Sequence, residues 1–127
     1  MLATRLARER GFDEALLVTP HGHVLEAPTS SVFYVLDGRL YTPPLDEHIL
    51  ASITRAIVIS ATDAAERSCT LTELLEADEA FLASTTREVQ PVSAVDGRGF
   101  DAPGPVTRRT ASAVAAVIRE RLADGAR

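Results

Sequence analysis

The stretch "VLEAPTSSVFYVLDGRLYTPP" at residues 24–44 decides the fold of this chain. It contains two runs that favour β-strands, Val24–Ala27 and the β-branched and aromatic run at 31–36. Asp37-Gly38 then supplies the dipeptide that tight hairpins prefer, and residues 39–42 form the return strand. The stretch therefore predicts an antiparallel sheet, with further elements on either side.

Helical and strand patterns alternate through the rest of the sequence. An N-terminal helix ends at Gly11, and a short acidic helix begins at Thr70, whose spacing to Glu73 matches a capping box. Further helices are predicted at 53–61 and 106–122, and further strands at 15–19, 79–83 and 89–95. Strand hairpins with interspersed helices indicate an α/β fold of the mixed α+β kind.

Composition limits the possible functions. The 127 residues fit one domain, predicted over 1–123 with a frayed tail at 124–127. A net charge of −5 without a basic stripe argues against nucleic acid, and no apolar run approaches the ~20 residues of a membrane span. Cys69 is the only cysteine, which indicates a reducing, cytoplasmic location.

All 13 basic residues are arginines, so the chain contains no lysine. An amine side chain is what Schiff-base catalysis with a carbonyl compound requires. The chain therefore has no side chain that could carry out that chemistry.

Two hydroxyl-rich segments suit the binding of a phosphate. Ser52-Ile53-Thr54 lies at a predicted helix start, where free N–H groups and the helix dipole favour an anion. Ser84-Thr85-Thr86 follows the predicted strand 79–83 and could form a second wall. A plain N-cap and an ordinary loop are the structural alternatives for these segments.

Glu26 is the one acid in its predicted strand. A carboxylate in that position could pair with a protonated ring nitrogen of an aromatic cofactor and stabilise its charge. The structural alternative is a strand residue that points to solvent.

Four segments, in this order, resemble the C-terminal part of the class IV aminotransferases: "GFDEALL", residues 24–55, "LTELLEADEAFLASTTREVQPVSAVDG" and "GPVTRR". These fold-type IV pyridoxal-phosphate enzymes include branched-chain and D-amino-acid aminotransferases and aminodeoxychorismate lyase. The resemblance covers residues 11–109 and implies their C-terminal domain, in which strand hairpins and helices form a pseudo-barrel. It also implies pyridoxal 5'-phosphate as the cofactor and a homodimer.

The resemblance assigns a role to each matching residue. Glu26 corresponds to the glutamate that binds the pyridine nitrogen, and Leu50 to the residue that packs on the ring. The phosphate side of the cofactor site corresponds to Ser52, Ile53, Thr54, Ser84 and Thr85. Thr86 and Arg87 fall near the substrate.

The sequence departs from the family pattern in several places. Ala27 and Ser52 stand where many members have glycine, and Ser31 stands where many have asparagine. The catalytic lysine and the N-terminal domain would lie upstream, and Met1 already falls inside a helical pattern. We therefore expect a fragment that is inactive alone.

The resemblance implies transfer of an amino group between an amino acid and a 2-oxo acid, and "GPVTRR" leans toward the branched-chain type. An aminodeoxychorismate lyase-like enzyme is one alternative. The other is a non-catalytic module that binds the cofactor or a full-length partner.

Several polar residues have simpler interpretations. His21 and His23 flank a turn glycine without a third metal ligand nearby, so we expect them at the surface, and His48 has only a weak claim to substrate contact. The acids at Glu73, Glu76, Asp78 and Glu79 are expected on solvated faces, and Cys69 in the core.

Overall fold

The computed structural model describes residues 5, 8–11, 16–20, 22–27, 30–44, 53–84, 88–100 and 102–125. The described helices are α1 (Ile53–Ala61), α2 (Leu71–Leu75) and α3 (Pro105–Gly125). The strands are β1 (Leu17–Val18), β2 (Val24–Ala27), β3 (Ser30–Leu36), β4 (Arg39–Thr42), β5 (Ala65–Glu66), β6 (Glu79–Ser84), β7 (Glu88–Pro91), β8 (Ala94–Val95) and β9 (Arg98–Gly99). The predicted mixed α/β fold is confirmed.

Strand β3 is the centre of a seven-stranded sheet. Along one side it pairs with β6, which pairs with β7. Along the other side its first residues pair with β2 and its last residues with β4. Strand β5 follows helix α1 and pairs with β4 in parallel, and β1 pairs with β2. The ends of β2 and β6 and the start of β3 therefore lie at one edge.

Two tight turns behave as their sequences predict. Asp37 and Gly38 have φ values of 51° and 78°, and Asp96 and Gly97 have 47° and 84°. Positive φ at both central residues is what type I′ hairpin turns require. The single strand predicted at 89–95 is wrong, because β7 ends at Pro91 and the chain then pairs with itself as the β8–β9 hairpin.

The sheet has an apolar core on each face. One face packs against α2 and the segment before it, through Val24, Val32, Tyr34, Cys69, Leu74, Ala77, Ala80 and Leu82. The other packs against α1 and α3, through Phe33, Val35, Leu40, Ile57, Val58, Phe81, Ala83 and Val114. On this second face the rings of Phe33 and Phe81 stack with centroids 5.0 Å apart. The buried position of Cys69 is confirmed.

The start of α3 is held by a buried acid. The Glu79 side chain accepts hydrogen bonds from the backbone N–H groups of Val106 (3.1 Å) and Thr107 (2.8 Å). A Cβ on Gly104 would overlap the Glu79 carboxyl group, so a larger residue there would displace the Glu79 side chain from its position. The expectation that Glu79 is solvated is wrong: strand alternation directs it to the helical face, where N–H groups replace water.

Of the neighbouring acids, Glu76 and Asp78 are exposed as predicted, and Glu73 is half-buried. Glu73 completes the predicted capping box with Thr70, which is confirmed, and it also bonds to Arg67. Asp78 accepts a hydrogen bond from the backbone N–H of Asp37.

The domain boundaries remain a prediction, and α3 is assigned through Gly125. Among the described residues, no helix combines the length and apolarity needed to cross a membrane.

Candidate functional site

A row of residues at one edge of the sheet contains the predicted Glu26. Glu26 lies opposite Ser31 of β3, Ser31 lies opposite Ala83 of β6, and Ala83 lies opposite Val89 of β7. Residues directly opposite each other in antiparallel strands share a face of the sheet. Because Ala83 belongs to the core beneath α1 and α3, Glu26 lies on that helical face as well.

A bulge in β2 explains how Glu26 reaches this face. Val24 packs into the core on the α2 side, and strict alternation would put Glu26 on that side too. The pairing with β1 runs from Val18–Val24 to Leu17–Glu26, so Leu25 is an extra residue on β2. A bulge of this kind re-aims the side chains that follow it. The sequence showed no turn residue or glycine that would have revealed the bulge.

Helix α1 begins near the end of β4. The guanidinium of Arg55, in the first turn of α1, donates a hydrogen bond to the carbonyl of Pro43 at 3.0 Å. Thr54 is buried, whereas the side chain of Ile53 is 73% exposed. The first turn contains no acidic residue, and the first N–H groups of a helix have no partner within it. The first turn therefore supplies no carboxylate of its own to these donors.

Two buried serines follow or precede members of this row along the chain, and strand alternation directs both to the opposite, α2 face of the sheet. Ser84 ends β6 directly after Ala83 and is buried, and Ser30 begins β3 opposite Ala27. The Ser30 hydroxyl is buried and has no hydrogen-bond partner in the part of the chain that the structure describes. Sequence reasoning missed Ser30, because a serine in a strand-favouring run carries no signal of its own.

The described residues cover part of the predicted site. Glu26 and Ser84 lie at the same end of the sheet, but strand alternation after Ala83 directs Ser84 to the opposite face. The start of α1 lies against the end of β4. The predictions that fall outside the described residues concern Leu50, Ser52, Thr85, Thr86, Arg87, His21 and His48.

Other features lie away from this edge. A cleft of about 600 Å³ is lined by the β3–β4 turn and by α1 and α3 residues, including Arg39, Asp63 and Arg109. It lies at the opposite end of the sheet from Glu26. On the α2 face, burial raises the pKa of Tyr34, and a hydrogen bond from the Thr70 backbone lowers the pKa of Glu73. These groups stabilise the fold around α2.

A family model for Amino-transferase class IV matches residues 1–95. The chain belongs to this family. The match includes β1 to β8, and hence Glu26, the start of α1 and Ser84.

Particular relatives make the comparison more specific. A probable branched-chain-amino-acid aminotransferase of Aquifex aeolicus is 38% identical over 116 residues, which are 85% of this chain and 37% of the relative. A D-alanine aminotransferase of Bacillus licheniformis is 38% identical over 115 residues, 85% of this chain and 40% of the relative. The PLP-form crystal structure of the Thermobaculum terrenum branched-chain aminotransferase superposes with a TM-score of 0.89 and 38% identity.

That superposition covers 94% of this chain and 42% of the Thermobaculum chain. The chain thus spans about two fifths of the length of these relatives.

Proposed function

We propose that this chain is the cofactor-binding part of a class IV aminotransferase of the branched-chain type, which moves an amino group between an amino acid and a 2-oxo acid. The observation that carries the proposal is the Glu26 row on the α1 face, within a chain of this family. Pyridoxal 5'-phosphate is the proposed cofactor, since a relative of high structural similarity was solved in its PLP form.

The polar groups at this edge suit that cofactor. The phosphate would bind the N–H groups at the start of α1, where no acidic residue of the first turn competes. The Glu26 carboxylate would pair with the pyridine nitrogen and keep it protonated.

Bound pyridoxal phosphate supplies an electron sink for the carbanion that forms when a substrate proton leaves. In this chain Glu26 would hold the ring proton, and the α1 start would fix the position of the phosphate and so orient the ring. The chain has no lysine to bond to the cofactor carbonyl or to carry a proton between two carbons. We therefore expect the 127-residue chain alone to bind the cofactor without turnover.

Equilibrium dialysis of the purified chain against pyridoxal 5'-phosphate tests this function. We expect saturable, reversible binding and, after borohydride treatment, no covalent adduct on any side chain. The N-terminal amine is acetylated first because, in a chain without lysine, it is the amine that could react with the cofactor. Absence of measurable affinity in the folded chain would refute the proposed cofactor binding. Transamination by the lysine-free chain would refute the expected lack of turnover.

A pair of variants tests the role of Glu26. Glu26→Gln should weaken binding of pyridoxal 5'-phosphate roughly tenfold or more, because a charge-assisted hydrogen bond becomes a neutral one. Glu88→Gln is the matched control: Glu88 is an exposed acid on β7 at the same edge. It should change the affinity less than about threefold. Equal effects of the two changes would indicate general electrostatics and not a specific partner.

The absence of lysine favours a second function, a non-catalytic module. Such a module would bind the cofactor or a full-length relative through the dimer surface of the family. Sedimentation distinguishes this module from the enzyme part proposed above. The chain is run alone and with a full-length class IV aminotransferase, and a species that contains both proteins supports the module. A homodimeric assembly and a cytoplasmic location remain predictions.

A further inference from the structure

Ser31 of β3 lies directly opposite Glu26 of β2. Residues in such positions have Cβ atoms about 4.5–5.5 Å apart and project from the same face of the sheet. A serine hydroxyl can donate a hydrogen bond, and an ionised carboxylate has two oxygens that can accept one. Over this separation the Ser31 hydroxyl can reach the Glu26 side chain.

The remaining members of the Glu26 row are apolar. Ser31 lies opposite Ala83, and Ala83 lies opposite Val89. Neither alanine nor valine has a side-chain atom that can donate a hydrogen bond to a carboxylate. Within this row, Ser31 is therefore the polar neighbour of Glu26 across the strands.

Burial increases the influence of this neighbour. Ser31 is 4% exposed and Glu26 is half-buried, so water has limited access to the hydroxyl and to the carboxylate. Hydrogen bonds are electrostatically stronger where the local dielectric constant is low. Neither residue is without a partner in the chain, so Ser31 supplies part of the orientation of Glu26 and not all of it.

We propose that Ser31 is a positioning residue for the Glu26 carboxylate. Its hydroxyl bonds to one carboxylate oxygen and leaves the other directed at the pyridine nitrogen of the cofactor. A glutamate side chain held in this way loses less rotamer freedom when the cofactor binds. This inference rests on the proposed function, and it assigns Ser31 no contact with the ring.

The adjacent Ser30 provides a matched control, since it is 6% exposed and strand alternation directs it to the α2 face. Ser31→Ala and Ser30→Ala each remove one oxygen atom and add no volume, so both variants should fold, and circular dichroism checks this. In equilibrium dialysis of the acetylated chain, Ser31→Ala should weaken binding of pyridoxal 5'-phosphate about fivefold, whereas Ser30→Ala should stay within about twofold. Equal losses from the two changes would overturn the inference.

Two further measurements show whether Ser31 acts through Glu26. In the Glu26→Gln background, Ser31→Ala should change the affinity less than about twofold, because the charge-assisted bond is already absent. With Glu26 intact, Ser31→Ala should lower the pKa of the bound pyridine nitrogen by about 0.7, which is the fivefold loss expressed as a pKa. The absorbance of the bound cofactor across a pH series measures this pKa. An unchanged or raised pKa, or a fivefold loss that persists in the Glu26→Gln background, would overturn the inference.

These outcomes separate the two proposals. If the unchanged chain fails to bind pyridoxal 5'-phosphate, the proposed function fails and the inference falls with it. If Glu26→Gln weakens binding but Ser31→Ala does not, only the role of Ser31 is refuted.

Discussion

Helices α1 and α3 begin in opposite ways. At the start of α3, the buried Glu79 side chain accepts from two backbone N–H groups, and Gly104 makes room for it. The first turn of α1 contains no acid and carries the buried Arg55. One start is closed by the protein's own carboxylate, and the first turn of the other contains no acid.

The difference is consistent with the proposal that the start of α1 binds a ligand, whereas the start of α3 is structural. Both helices pack on the same face of the sheet, so the shared dipole does not distinguish them. The nearby side chains do: a buried acid caps the start of α3, whereas the first turn of α1 contains no acid. The start of α1 also lies against the end of β4, on the face that carries Glu26.

The largest expected effect comes from removing the acid at α3. Glu79→Ala should lower the free energy of unfolding by about 3 kcal/mol, because two buried N–H groups lose a charged acceptor. Urea denaturation measures this loss. Glu76→Ala, which changes an exposed acid nearby, should stay within about 0.5 kcal/mol. A loss below 1 kcal/mol for Glu79→Ala would show that the two helix starts do not differ as described.

A smaller effect is expected from filling the space that Glu79 occupies. Gly104→Ala should lower the free energy of unfolding by about 2 kcal/mol, because the new methyl group overlaps the Glu79 side chain. In the double variant with Glu79→Ala the clash is gone. The double variant should therefore lose less free energy of unfolding than the sum of the two single-variant losses. Strict additivity in urea denaturation would contradict the contact.

The capped start of α2 offers an intermediate case. Thr70 accepts from the Glu73 N–H and Glu73 accepts from the Thr70 N–H, both at 3.1 Å. Thr70→Ala should cost about 1 kcal/mol of stability, the usual value of an N-cap. Thr72→Ala, on an exposed position of the same helix, is the control. Equal losses in thermal melts would mean that the cap contributes nothing specific.

The smallest expected effect is a pH dependence at Glu73. Its pKa is lowered by the Thr70 N–H and by Arg67, so the ionised carboxylate stabilises the folded chain. That contribution is present above the pKa of Glu73 in the unfolded chain and is lost as pH falls through its lowered pKa. The side chain is about a third exposed, so we expect less than about 1 kcal/mol. Unfolding free energies of the chain and of Glu73→Gln should therefore converge as the pH falls, and a constant difference would contradict this.

Much of the fold could be predicted because its signals are local. The turn at Asp37-Gly38, the cap at Thr70 and the periodicity of helix 53–61 each depend on a few adjacent residues. The role of Glu79 could not be predicted, since its partners lie 27 and 28 residues away. The long-range contact with α3 decides whether that acid meets water or N–H groups.

The site divides in the same way. Glu26 and the start of α1 were identified from the residues and from the family resemblance. The bulge at Leu25 and the burial of Ser30 and Arg55 depend on how strands pair and pack. No short sequence pattern encodes those relations, so they required the structure.

A crystal structure of the acetylated chain with pyridoxal 5'-phosphate tests the central claim most directly. We expect the phosphate within hydrogen-bond distance of the first N–H groups of α1, and the pyridine nitrogen beside the carboxylate of Glu26. A phosphate bound elsewhere, with Glu26 turned away from the ring, would contradict the account.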